Sequence, residues 1–133
     1  MALTDLDQLP KSLQTRAYHA AGEIAWPRPE ALQVIDYLTA QGTAVLGVEI
    51  WLPTSPGPTI PTPIIYNWEA EARQESEAWT QFAERVNQLA KEYVDSFEWD
   101  EEDVSHKSLT PYFNLTLCQE REYAELSSPL VEG

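Results

Sequence analysis

Cysteine, histidine and basic side chains are all scarce in this chain. Cys118 is the one cysteine among 133 residues. It excludes an internal disulfide and a cysteine-built zinc site. His19 and His106 are the two histidines, too few for a histidine-rich metal site. Lysine and arginine together number 8 against 22 acidic residues, giving a net charge of −14 and an isoelectric point near 4.3. That balance argues against a nucleic-acid binder and against attraction to an anionic membrane surface. No apolar run approaches the roughly 18–20 residues of a membrane span. The opening stretch MALTDLDQLPKS lacks a basic segment followed by an apolar core, so it does not read as a signal peptide. These absences predict a soluble, cytoplasmic protein. Catalytic signatures are missing too: there is no phosphate-cradling glycine loop, no GxSxG and no HExxH. Nothing calls for a cofactor or a metal.

What is present suffices for one packed domain over residues 1–133, with an ordered core over about 12–118 and a polar tail over about 119–133. Hydrophobic residues make up 43% of the chain, and five Trp and six Tyr must either pack or bind. A short helix is expected over about Ser12–Ala21. Residues 29–42 predict an amphipathic helix: Pro29 and Glu30 suit its start, and Ala31, Leu32, Ile35 and Leu38 form an apolar stripe. Gly42 suits the position just past its end. Residues 43–52 switch to a β-rich run in which Gly47 suggests a bulge or a close backbone approach.

Five of the ten prolines fall in residues 53–63, which predict a stiff extended loop. A short strand at Ile64–Tyr66 would complete an antiparallel hairpin. The longest helix is expected over about Ala70–Phe97, burying Trp79, Phe82, Val86, Leu89, Tyr93 and Phe97 against the sheet. Tyr112–Cys118 alternates Phe113, Leu115 and Leu117 with Tyr112, Asn114, Thr116 and Cys118, as a strand does. The sum is an α+β fold: a small antiparallel sheet of three or more strands against two or three helices.

Chemistry-bearing residues are few. A Cys118–His19 or Cys118–His106 pair has no local support, and Cys118 reads as a packing residue. The run Asp100, Glu101, Glu102, Asp103 lacks the alternating ligands and central glycine of a calcium loop. It reads as a solvated loop or as a surface for a basic partner. Trp51, Tyr66 and Trp68 flank the proline loop. Adjacent strand residues point to opposite faces, so at least one ring should face outward as a partner anchor, with core packing as the alternative.

The stretch from Trp26 to Trp68 resembles the immunity protein 40 family of bacterial polymorphic-toxin systems. The matching residues are Trp26, Ala31-Leu32, Gly42, Leu46-Gly47, Glu49, Trp51, Tyr66, Asn67 and Trp68. Tyr93-Val94 and the strand from Tyr112 to Leu117 extend the resemblance to about residues 22–118. Two adjacent glycines, an Asp and a Tyr are usual in that family where this chain has Gly47–Trp51, and the proline insertion is unusual. The resemblance implies a non-catalytic inhibitor that binds a cognate toxin domain, and the acidic balance suits a basic one. Partner contact is then expected at Trp51, Tyr66, Trp68, Asp100, Glu101, Glu102 and Asp103. Two other classes stay open: a small enzyme pairing Glu49 with an acid of the Asp100 run, and a self-associating structural module.

Overall fold

A computed structural model describes residues 9–20, 23–53, 59–60, 66–99 and 110–127. In chain order these form α1 (Lys11–Thr15), β1 (Tyr18–Ala20), β2 (Glu23–Pro27), α2 (Arg28–Ala40) and β3 (Ala44–Pro53). There follow β4 (Thr59–Ile60), β5 (Trp68–Glu69), α3 (Trp79–Ser96), β6 (Tyr112–Cys118) and α4 (Glu120–Ser127). The arrangement is α+β. The sheet is antiparallel, in the order β1-β2-β6-β3, with β5 and β4 both on the outer edge of β3.

Helix α2 ends as its sequence predicts. Gly42 takes a φ of 76°, the Thr43 amide donates to the Leu38 carbonyl, and the Gly42 amide donates to Thr39. Those two bonds satisfy the carbonyls that the last helical turn leaves unpaired. The Trp79 indole then donates to the Gly42 carbonyl at 2.7 Å, seating the start of α3 on this turn.

Gly47 fulfils both readings made of it. Val45 pairs with Leu117 but Gly47 pairs with Thr116, so Leu46 is the extra residue of a bulge. The bulge shifts the side-chain alternation by one residue. As a result Val45, Val48 and Ile50 all join the core beneath the helices. A β-carbon on Gly47 would lie 3.3 Å from the Trp68 carbonyl, where β5 pairs closely.

The main core joins α1, α2 and the later half of α3 to one sheet face through Leu13, Trp26, Val34, Ile35, Val48, Ile50, Val94, Phe97, Phe113 and Leu115. Full burial of such a side chain contributes roughly 1.5–3 kcal/mol. A second cluster gathers Ala44, Trp79, Phe82, Ala83, Val86 and Cys118. Tyr123 of α4 closes it, with ring centroids 5.6 Å from Trp79 and 5.1 Å from Phe82. The Tyr123 hydroxyl also accepts a bond from the Arg73 amide.

Polar groups bind the layers together. Asn87 is 1% exposed. Its carbonyl accepts from the Val45 amide, and its amide donates to Thr39 and to the Thr43 carbonyl. Arg28 donates to the carbonyls of Val94, Asp95 and Phe97, placing a cation on the negative end of α3. Glu77 makes a two-point ion pair with Arg85, both contacts at 2.8 Å. That guanidinium holds the Glu77 carboxyl well below its usual range, at about 2.

Several expectations are corrected. Residues 18–20 form a strand within the stretch Ser12–Ala21 where a helix was expected; there the helix covers only Lys11–Thr15. Helix α3 begins at Trp79, not near Ala70. Leu89 is 41% exposed because it lies at the rim of the buried stripe, which centres on Phe82, Val86 and Ala90. Tyr93 is half-buried. The returning strand is Trp68–Glu69; Tyr66 is not in it, and Ile64 and Ile65 lie outside the described residues. Within the expected polar tail, Glu120–Ser127 is helical, because Tyr123 gives that helix a docking residue.

Candidate interaction surface

Of the expected contact residues, Trp51, Tyr66 and Trp68 lie among the described residues. Strands β3 and β6 run antiparallel, so Trp51 near the end of β3 lies opposite Tyr112 at the start of β6. Tyr66 lies just before β5, near the same end, and Asn67 accepts a bond from the Ile50 amide. The Tyr66 ring meets Trp99 edge-on at 5.1 Å and Phe97 at 5.6 Å. Trp99 directly precedes the acidic run, and Tyr66 comes three positions after the last proline of the proline-rich segment. The anchors of those two segments are therefore neighbours. Residues 54–58 and 61–65 lie outside the described residues, as do Asp100, Glu101, Glu102, Asp103 and His106.

The aromatic anchors differ in setting. Tyr66 is buried, and its carbonyl accepts the Tyr93 hydroxyl. Burial raises the Tyr93 phenol above its usual range. Trp68 pairs with Val48 and so takes the helix-covered face, half-buried, stacked on Tyr93 at 6.4 Å. Trp51 takes the opposite face. It is 9% exposed, wrapped by Tyr18 at 6.1 Å in a T-shaped contact. Tyr18 also meets Tyr112 edge-on at 6.2 Å.

Neither Tyr18 nor Tyr112 was singled out as a site residue from the sequence. The alternation of β6 placed Tyr112 away from the core. Tyr18 carried no such signal while its segment read as helix.

The chain from residue 12 to residue 117 matches the family model described as Immunity protein 40. The chain belongs to that family. Membership implies an immunity protein of toxin systems, with a toxin as its partner. No curated protein and no solved structure matches the chain.

Glu49, Cys118 and His19 are the residues weighed for chemistry that fall within the described residues of this family member. Glu49 is exposed on the sheet face away from α1, α2 and α3, and accepts a 3.4 Å bond from the Trp51 indole. It lines neither of the two clefts described. One, of about 620 Å³, lies between Gly42, Trp79 and Arg121; the other, of about 320 Å³, lies between Leu32, Lys91 and Asp95. Cys118 is buried opposite Ala44, and burial, reinforced by the charge of Glu122, pushes its thiol up to about 11. A thiol so disposed is a poor nucleophile at neutral pH. His19 is exposed on the edge strand β1. Among the described residues, no group of three or more His, Cys, Asp or Glu is placed to hold a metal ion, and no helix is long and apolar enough to cross a membrane.

Proposed function

We propose that this protein neutralises a cognate toxin domain by binding it, without catalysis. The match to the Immunity protein 40 model over most of the chain carries this reading. Its contact surface is the sheet end where Trp51, Tyr66 and Trp68 border the proline-rich segment, together with Asp100, Glu101, Glu102 and Asp103. The adjacency of Tyr66 and Trp99 supports joining those two segments into one surface. The net charge of −14 favours a basic partner and speeds the encounter. Five prolines in residues 53–63 restrict the backbone before binding, which lowers the entropy cost of contact there.

The test is binding kinetics with the cognate toxin domain. Neutralising Asp100, Glu101, Glu102 and Asp103 together lowers the on-rate at low salt and has little effect at high salt, where screening removes the steering. Unchanged kinetics at both salt concentrations would show that the acidic run serves solubility alone.

A further inference from the structure

On the sheet face away from α1, α2 and α3, strand register aligns side chains in rows. One row holds Tyr18, Ala25, Asn114 and Glu49; the next holds Pro27, Tyr112 and Trp51. Directly opposed residues of an antiparallel pair share a face, as do residues two apart along a strand. Glu49 is the charged member of these rows, and it is exposed. Its neighbours do little to compensate it. Asn114 is buried, with its amide nitrogen directed to the Ile24 carbonyl. The Trp51 indole reaches one carboxylate oxygen at 3.4 Å, a long and weak bond. Among the described residues, no lysine or arginine forms an ion pair with Glu49. An uncompensated carboxylate thus stands beside three aromatic rings that already hold one another edge-on.

We infer that this face receives an arginine side chain of the toxin domain, with its guanidinium on the Glu49 carboxylate and its plane against the half-buried Tyr112. This rests on the toxin-binding reading and adds a partner chemistry to it. The planar guanidinium fork suits a carboxylate, and its weak hydration suits an aromatic flank; a lysine ammonium offers neither match. The half-buried Tyr18 and Tyr112 are held by their mutual contacts, so little side-chain freedom remains to be lost on binding. The same carboxylate accounts for an acidic residue within an otherwise apolar strand, where core packing alone would not call for one.

The experiment measures dissociation constants for the cognate toxin domain against wild type, Glu49→Gln and Glu92→Gln. Glu92 is an exposed acid on α3, so its variant removes the same charge from a different face. Thermal unfolding of each variant controls for folding. Glu49→Gln is expected to weaken binding about tenfold or more, mainly through the off-rate, while Glu92→Gln changes it less than about threefold. Equal effects of the two variants would overturn the arginine site and leave the toxin-binding reading standing. A wild-type protein that does not bind the toxin would overturn both.

Discussion

Asn87 shows how one polar side chain can decide the register of several elements. It sits among apolar residues on the buried stripe of α3. Its bonds to Val45, Thr39 and Thr43 fasten the end of α2 and the start of β3 to α3. Removing it leaves a buried amide and a buried carbonyl unpaired, each costing about 1–3 kcal/mol. Asn87→Ala is therefore expected to destabilise the protein by about 2–4 kcal/mol in urea denaturation. A loss within about 0.5 kcal/mol, the range of an ordinary surface change, would contradict this role. Nothing in the sequence marked Asn87, because its partners come from segments more than forty residues away. Burial was legible for Trp79, Phe82 and Val86, which fall on one helical stripe, and for Phe97 just past the helix end. Leu89 was misjudged because a three-to-four-residue spacing does not separate the centre of a stripe from its rim.

Among the elements, those with a full period of apolar residues or a distinct stop signal could be read directly. Helix α2 has both its stripe and Gly42. Strand β6 has its alternation, although Asn114 is buried where a polar-out pattern predicted exposure. Strands β1 and β2 are too short to display a period, and α4 has one docking ring, so local sequence could not reveal them. The segment before Trp79 is rich in good helix formers, yet Arg73 and Glu77 draw it into an irregular turn. Gly47 was legible because few roles suit a glycine inside an apolar strand. Gly47→Ala is expected to push its new methyl against the Trp68 carbonyl and loosen the β3–β5 pairing. Hydrogen exchange at the Ala70 amide, which donates to Leu46 across that pair, should rise about tenfold or more, equivalent to about 1.4 kcal/mol of lost local protection. Unchanged protection would mean that β5 shifts aside without cost.

At the scale of the whole molecule, the helices cover one sheet face, and the other carries Glu49, Trp51, Tyr112 and Tyr18. The candidate surface was only partly legible: composition indicated aromatics and acids, but not which would be neighbours. Strand parity settles that Trp51 and Trp68 lie on opposite faces, and the Tyr66–Trp99 contact joins segments more than thirty residues apart. The central claim is inhibition by stoichiometric binding. Its most direct test is a titration of the purified toxin domain with this protein, following the toxin's own activity. The account predicts that activity falls in proportion to added protein and vanishes near equimolar amounts, with the complex recoverable intact. Full toxin activity in the presence of excess protein, or lasting inactivation by far less than one equivalent, would contradict it.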